Sequence, residues 1–173
     1  MAKKSDSFMP GALRPYWRYE YAKVAGPHRG DPFKGLKKAD PKKALIVIKG
    51  KLGALVLNKF PYTAGHLLAV AYRAVGALED LTGEERDELM DLVITGKLLL
   101  KKVLKTHGTN IGINQGEGQV SGGSVPNHLH WHIIPRWRGD NSFFPVMTGS
   151  RILITSQENV WKALRKEYSR VKI

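Results

Sequence analysis

The sequence predicts an α+β domain built on an antiparallel β-sheet, with a long helix and a second helix near the C-terminus. The first observation is the order of segments, in which short β-branched runs are followed by a helical pattern, further strand-like runs and a final helical pattern. The second is that glycine-containing or polar turns separate the short runs, as is typical of antiparallel hairpins.

The strand candidates fall on both sides of the long helix. The aromatic stretch at 14–24 is a candidate for a first strand, and the loop at 26–43 is rich in lysine, proline and glycine. The runs "ALIVI" and "GALVLNKF" predict a hairpin with a glycine-containing turn. The candidates after the loop lie at 44–48, 53–60, 65–72, 109–115 and within 127–137. We therefore expect a sheet of about five strands.

The long helix has a recognisable start. Thr82 followed by Glu85 is a capping box, in which the two side chains satisfy free amides of the first turn. Gly108 lies where a helix C-terminus often ends, and Gly96 interrupts the helical pattern. The apolar residues at helical spacing are Leu89, Leu92, Val93, Leu99, Leu100, Val103 and Leu104.

Thr155 and Glu158 predict a second capping box, before a C-terminal amphipathic helix. The apolar residues of this helix are Val160, Trp161, Leu164 and Tyr168. We interpret residues 1–12 as a flexible tail and residues 13–173 as a single domain, because this length is enough to bury one core.

The composition indicates an anionic ligand. The chain has 28 Lys and Arg against 15 Asp and Glu, a net charge of +13, which raises the local concentration of phosphates, nucleotides and nucleic acid. It has no cysteine, which excludes disulfides and thiolate metal sites and fits a reducing compartment. No apolar run reaches the ~18 residues of a transmembrane helix, and the first residues lack the apolar stretch of a secretory signal. We expect a cytoplasmic protein without a membrane partner.

The most informative stretch is "NHLHWHIIPRW" at 127–137, which places His128, His130 and His132 at every second position. Side chains alternate faces along a strand, so the imidazoles face one side while Leu129, Trp131 and Ile133 face the other. Three interpretations compete: core packing, a metal site, and catalysis by imidazole.

Geometry disfavours a metal ion bound by all three histidines. The first and third lie ~13 Å apart on a straight strand, from a rise of ~3.3 Å per residue, whereas zinc needs each nitrogen at ~2 Å. Two of them with a distant ligand remain an alternative, although no carboxylate accompanies the motif. Catalysis is favoured, because neutral imidazole can attack phosphorus and its neighbours can exchange protons near neutral pH. The preceding "SGGS" at 121–124 can aim backbone N–H groups at an anion, and Ser124 adds a hydroxyl.

The stretch "HLHWHII" resembles the motif of the histidine triad family, His-φ-His-φ-His-φ-φ, in which φ is apolar. The resemblance extends to "NKFPYTAGHLL" at 58–68, "LTGEERDEL" at 81–89 and "INQGEG" at 113–118, and so covers about residues 44–137. The chain beyond it is similar to the branch of bacterial diadenosine tetraphosphate phosphorylases and hydrolases.

The resemblance implies a HIT-like catalytic domain, dimerised through the long helix and a strand, that acts on a nucleoside with an α-phosphate. His130 would attack that phosphorus and form a nucleotidyl-histidine intermediate. This intermediate would pass to water in a hydrolase or to inorganic phosphate in a phosphorylase. His132 would hydrogen-bond the phosphoryl oxygen, His128 would position the site, and His66 would support the triad from behind.

The same resemblance assigns the binding residues. Asn58 matches a ribose-binding asparagine, Asn114 matches a residue at the phosphate end, and Gly123 and Ser124 belong to the loop ahead of the triad. Without the resemblance, Asn58 would be a turn residue and Asn114 a strand-end cap. No metal site or cofactor of the protein is expected, and divalent Mg²⁺ would arrive bound to the substrate phosphates.

The chain departs from the family pattern near its N-terminus. Many relatives carry a Cys-x-x-Cys pair with a structural zinc, but the corresponding segment, "DPFK" at 31–34, has no cysteine, so that zinc is expected to be absent. No histidine follows Arg73, where relatives often have Pro-x-Arg-His. The alternative functions are a nucleoside phosphoramidate hydrolase of the same family and a basic nucleotide- or RNA-binding module with little catalysis. A nucleotide substrate and a homodimer are the expected partners, and nucleic acid is less favoured.

Overall fold

The computed structural model describes residues 30–116, 125, 127–140 and 156–170. Within them, one antiparallel sheet and two α-helices confirm the predicted α+β class. The tail at 1–12 and the strand candidate at 14–24 lie outside the described residues. The strands are β1 (Ile46–Lys49), β2 (Gly53–Leu57), β3 (Leu67–Ala71), β4 (Gly108–Ile113) and β5 (His130–Arg136), and the helices are α1 (Gly83–Leu104) and α2 (Gln157–Tyr168).

The histidine strand lies inside the sheet. The strand order is β1-β2-β3-β5-β4, so β5 pairs with β3 on one side and with β4 on the other, antiparallel in both cases. Leu68 and Gly112 lie opposite His132, and Val70 lies opposite His130. Two neighbouring strands therefore fix the backbone that carries these histidines.

The two faces of the sheet have different cores. Helices α1 and α2 pack on one face, and Leu129, Trp131 and Ile133 belong to this main core or pack against it. The opposite face carries a smaller apolar cluster that includes Leu68 and Val70. Cross-strand partners share a face of a sheet, so the triad histidines paired with these two residues lie on the face away from the helices.

Helix α1 begins as predicted but ends earlier. The Oγ1 of Thr82 accepts from the Glu85 N–H at 3.2 Å, and the Glu85 carboxylate accepts from the Thr82 N–H at 2.9 Å. The last helical residue is Leu104, and Lys105 makes the C-terminal turn in the left-handed conformation, with φ of 53°. Gly108 is instead the first residue of β4, so the predicted helix end at Gly108 is wrong. A non-glycine residue makes the turn, and the glycine signal therefore misplaces it.

Gly96 lies where α1 comes closest to the sheet. It is buried, and a Cβ at this position would lie 3.1 Å from the Cδ1 of Ile133 and 3.2 Å from the Cδ1 of Leu55. The interruption in the helical pattern is therefore required by packing, because the helix rests on β2 and on the histidine strand.

Helix α2 starts one residue later than predicted. Its N-cap is Ser156, whose Oγ accepts from the Asn159 N–H at 3.3 Å, so the predicted capping box of Thr155 and Glu158 is wrong. Serine and threonine are both good N-caps, and the sequence offers them in succession. In the described part of the chain, neither helix is long and apolar enough to cross a membrane.

Candidate active site

The structure brings together the four histidines predicted to be catalytic. His130 and His132 lie on β5, His128 just precedes that strand, and His66 just precedes β3. The ring centroids of His130 and His132 are 4.8 Å apart, and those of His66 and His132 are 5.1 Å apart. His66, His128 and His132 are buried, whereas His130 is half-buried. The site is therefore a row of imidazoles with one ring partly open to solvent.

The His130 ring is held in a single tautomer. Its Nδ1 lies 2.9 Å from the His128 carbonyl oxygen, which can only accept, so Nδ1 carries the hydrogen. No described residue hydrogen-bonds to its Nε2. Burial, and to a smaller extent the charge of His128, lowers the pKa of His130 below the usual histidine value. At neutral pH the Nε2 lone pair is therefore available to attack an electrophile.

His66 is an acceptor on one side and a donor on the other. The backbone N–H of Tyr62 points at His66 Nδ1 from 3.2 Å, so this nitrogen carries no hydrogen in the neutral ring. The hydrogen must then lie on His66 Nε2, which is 2.9 Å from His132 Nδ1. His66 therefore donates to His132 and fixes its orientation.

The hydrogen bond from His66 also determines the tautomer of His132. Because Nδ1 of His132 accepts from His66, its single hydrogen lies on Nε2. The Asn114 amide nitrogen is 3.2 Å from that Nε2, and a half-turn of the amide places its oxygen there as the acceptor. His132 thus directs an N–H toward the side of the site where Asn114 lies, which suits a phosphoryl oxygen.

His66 and His132 are neutral at physiological pH. Desolvation, followed by the charges of His132 and His130, lowers the pKa of His66 to about 3. Desolvation and then the charge of His130 lower the pKa of His132 to about 4. The His66–His132 pair therefore acts through hydrogen bonds of fixed direction.

His128 makes the contacts that the sequence did not reveal. Its Nδ1 lies 2.7 Å from the Oδ2 of Asp31, and its Nε2 lies 2.8 Å from the Ala71 carbonyl oxygen. The ring centroid of Phe33 lies 5.3 Å from those of both His128 and His130. The segment 31–34 had signalled only the lack of cysteines, and 97 residues separate Asp31 from His128, so no local pattern predicted the contact.

The structure describes two of the four predicted binding residues. Asn58 uses its amide within the protein, because its Oδ1 accepts from the Phe60 N–H at 2.9 Å and its Nδ2 donates to His66 Nδ1 at 3.2 Å. Asn114 contacts His132, as described above. Gly123 and Ser124 lie outside the described residues. The ribose role of Asn58 remains a prediction, but its support of His66 is visible.

Tyr62 is a second aromatic residue that sequence reasoning missed. Its ring stacks on His132 with a centroid distance of 5.9 Å and an interplanar angle of 21°, and it lies 4.8 Å from the His66 ring. Tyr62 is 37% exposed, so it separates the buried pair from solvent. Its position between Asn58 and His66 in the sequence was the only available signal.

Within the described ranges, no group of three His, Cys, Asp or Glu side chains is arranged to hold a metal ion. The reason is local: His66 and His132 bind each other, and both nitrogens of His128 face oxygen atoms. The imidazoles are arranged to bind one another and to leave the Nε2 of His130 open.

An antiparallel sheet with three alternating histidines, two on an inner strand and one just before it, is the arrangement of a histidine triad protein. A model of the HIT domain family matches residues 40–139. A protein named AP-4-A phosphorylase from Mycobacterium tuberculosis is 39% identical over 139 residues, which cover 80% of this chain and 70% of that protein. The chain therefore belongs to the HIT domain family, as the sequence motif indicated.

Two further proteins are similar to this chain. A bis(5'-nucleosyl)-tetraphosphatase (asymmetrical) from Schizosaccharomyces pombe is 37% identical over 97 residues, 56% of this chain and 52% of that protein. A crystal structure of a hypothetical histidine triad nucleotide-binding protein from Sulfolobus tokodaii has a TM-score of 0.60 and 25% identity, covering 74% of this chain and 85% of that one. The names of the relatives agree with the predicted enzyme class, a histidine triad nucleotide hydrolase or phosphorylase.

Proposed function

We propose that this protein cleaves dinucleoside polyphosphates, such as diadenosine tetraphosphate, at an α-phosphate through a covalent nucleotidyl-His130 intermediate. The observation that carries the proposal is the state of His130. Its Nδ1 hydrogen is committed to the His128 carbonyl, its lowered pKa keeps the ring neutral, and no described residue occupies its Nε2. A nucleophile with these properties suits a phosphorus centre.

The reaction has two displacements. The Nε2 lone pair of His130 forms a P–N bond with the α-phosphorus, and the bond from that phosphorus to the bridging oxygen breaks, so that diadenosine tetraphosphate releases ATP. An acceptor oxygen then attacks the same phosphorus, the P–N bond breaks, and the nucleotide leaves. The Nε2–H of His132 stabilises the phosphoryl oxygens as negative charge develops on them.

We propose inorganic phosphate as the acceptor. The name of the relative that is 39% identical, AP-4-A phosphorylase, supports a phosphorylase over a hydrolase. Attack by phosphate on the adenylyl-histidine would give ADP, so the products from diadenosine tetraphosphate would be ADP and ATP. Attack by water would give AMP and ATP. The net charge of +13 favours the approach of both anions.

Product analysis with and without phosphate tests the acceptor. The protein is incubated with diadenosine tetraphosphate and labelled inorganic phosphate, and the nucleotides are separated by chromatography. We expect label in ADP and little turnover without phosphate. AMP as the main product at every phosphate concentration would identify a hydrolase. Cleavage of a nucleoside phosphoramidate with no action on dinucleoside polyphosphates would refute the substrate class.

The role of His130 is tested by substitution. We expect His130→Ala to lower kcat on the order of 10³-fold or more and to abolish the acid-labile nucleotidyl adduct in rapidly quenched samples. His107→Ala is the matched control, because His107 is exposed and its Nδ1 contacts only the Arg138 N–H among the described residues. Equal turnover by His130→Ala and the wild type would exclude the mechanism.

We further propose that no resident cofactor is needed and that Mg²⁺ enters on the substrate phosphates. Hard divalent cations bind phosphate oxygens readily and keep much of their water. Protein treated with a chelator and then dialysed should recover full activity when Mg²⁺ is added together with substrate. An activity that returns only after prolonged incubation of the protein with metal ions would indicate a resident site.

We also propose a cytoplasmic homodimer. The lack of cysteine suits a reducing compartment, and cell fractionation checks the location. Two exposed features support a dimer: the apolar residues Met90, Ile94 and Leu98 follow one side of α1, and β4 is an edge strand with Ile111 exposed.

A further inference from the structure

The segment that begins at Asp31 is a turn that contacts the triad. The Lys34 N–H donates to the Asp31 carbonyl at 3.2 Å, and Pro32 occupies the second position of the turn. The Phe33 N–H donates to Asp31 Oδ1 at 2.8 Å, which orients the carboxylate. The other oxygen, Oδ2, is thereby presented to His128 Nδ1 at 2.7 Å. The turn and this hydrogen bond form one unit.

The partners of His128 determine its hydrogens. A carboxylate oxygen lies beside Nδ1 and a backbone carbonyl oxygen beside Nε2, both within 2.8 Å. Both oxygens are acceptors, and a neutral imidazole has only one N–H, so both hydrogen bonds form together only when each nitrogen carries a hydrogen. The His128 side chain is 1% exposed and that of Asp31 26% exposed, so the contact between the ring and the carboxylate is largely shielded from water.

Anchoring the His128 ring affects the nucleophile directly. The carbonyl of His128 accepts the Nδ1 hydrogen of His130 and so selects the tautomer with a bare Nε2. We propose that Asp31 is a positioning residue for this reaction: it holds His128 doubly protonated between the turn and Ala71, and thereby fixes the carbonyl that orients His130. The effect on turnover rests on the proposed function, whereas the protonation states do not.

The chain contains a matched control for Asp31. Asp40 also precedes a proline and also orients a local turn, since its Oδ1 accepts from the Lys43 N–H at 2.8 Å. Asp40 is exposed and makes no hydrogen bond to a histidine of the described residues. Asp40→Asn therefore reports the effect of losing a carboxylate from an Asp-Pro turn without touching the triad.

Nitrogen NMR of labelled histidines reads the protonation states in the intact protein. At pH 7.5 we expect His128 to show two protonated ring nitrogens, and His130 to show a protonated Nδ1 and a bare Nε2. In Asp31→Asn, the amide can retain the Phe33 contact and donate to His128 Nδ1, so His128 should become neutral with its hydrogen on Nε2. In Asp31→Ala, His130 should become a mixture of tautomers. Asp40→Asn should match the wild type.

Steady-state kinetics measures the consequence for turnover. We expect Asp31→Ala to lower kcat on the order of tenfold or more with KM unchanged, because a charged hydrogen bond is lost at a residue that does not touch substrate. Asp31→Asn should lie between Asp31→Ala and the wild type. A wild-type kcat in both variants, or a raised KM with normal kcat, would overturn the proposal.

The NMR measurements test the role of Asp31 independently of the proposed function. A single protonated nitrogen on His128 in the wild type, or an unchanged His130 tautomer in Asp31→Ala, overturns the positioning role whatever the substrate is. If the wild type cleaves no dinucleoside polyphosphate, the proposed function fails. The tautomer of His130 in Asp31→Ala then decides the role of Asp31 alone.

Discussion

At the scale of single residues, one backbone amide determines the direction of the buried hydrogen bonds. The Tyr62 N–H can only donate, so His66 must accept at Nδ1 and donate at Nε2. His132 therefore accepts at Nδ1 and presents an N–H from Nε2. Asn58 supports the same direction, because its Nδ2 also donates to His66 Nδ1. The orientation of the site thus depends on a residue outside the triad.

Asn58→Asp should disturb this direction more than Asn58→Ala. The aspartate would place a carboxylate oxygen beside the His66 Nδ1 lone pair, which is favourable only if that nitrogen takes up a hydrogen. We expect the pKa of His66 to rise and kcat to fall on the order of tenfold, with a smaller loss in the alanine variant. Kinetics as a function of pH measures both. A change in KM alone would instead support the predicted ribose contact.

The lowered histidine pKa values predict a pH-dependent stability. Folded His66 takes up a proton only near pH 3, whereas the unfolded residue does so near the ordinary histidine pKa of 6.5. Between these values the unfolded state binds more protons, so the free energy of unfolding falls as the pH is lowered from about 6.5 toward about 3. Denaturant unfolding at a series of pH values measures this slope. His66→Gln, which cannot titrate there, should flatten it, and an unchanged slope would contradict the assignment.

The residues predicted from sequence are those that a local pattern marks. The alternation of His128, His130 and His132 marked the triad, and the glycine-histidine segment marked His66. Asp31 was not predicted, because a contact between residues distant in the chain has no periodic signature. The tautomers of the histidines were not predicted either, since they depend on which carbonyl or amide lies beside each ring.

At the scale of elements, strong local signals predicted the strands and the start of α1, but weak ones misplaced two helix ends. The capping box at Thr82 joins two reciprocal hydrogen bonds, whereas Thr155 is followed directly by Ser156, an N-cap of similar propensity, and the turn after α1 is made by Lys105 and not by a glycine. Lys105 turns the chain so that β4 begins at Gly108 and pairs with β5.

Gly96→Val should destabilise the fold. A Cβ at this position already lies close to Leu55 and Ile133, and the branched side chain would push α1 away from β5. We expect a loss of about 1–3 kcal/mol in the free energy of unfolding, measured by denaturant titration. Gly83→Ala is the control, because a Cβ there meets nothing within 4 Å. It should be neutral or slightly stabilising, and equal effects of the two changes would refute the packing explanation.

At the scale of the whole molecule, the exposed apolar side of α1 predicts that the protein is a dimer. Ile94 is 50% exposed and lies between Met90 and Leu98 on the same side of the helix. We expect Ile94→Glu to convert the dimer into a monomer, because a charge would be buried in the interface. Light scattering coupled to gel filtration measures the mass. Lys166→Glu, a charge change at an exposed position of α2, should leave the mass unchanged. A monomeric wild type would contradict the proposed dimer.

The inner position of β5 in the sheet also affects how the activity is lost when the protein unfolds. Edge strands and chain ends open and close locally long before a protein unfolds, but an inner strand paired on both sides separates only when the sheet itself comes apart. His130 is carried by such a strand. Activity and secondary structure should therefore disappear at a single denaturant midpoint, and amide hydrogens of β5 should exchange at the rate of global unfolding.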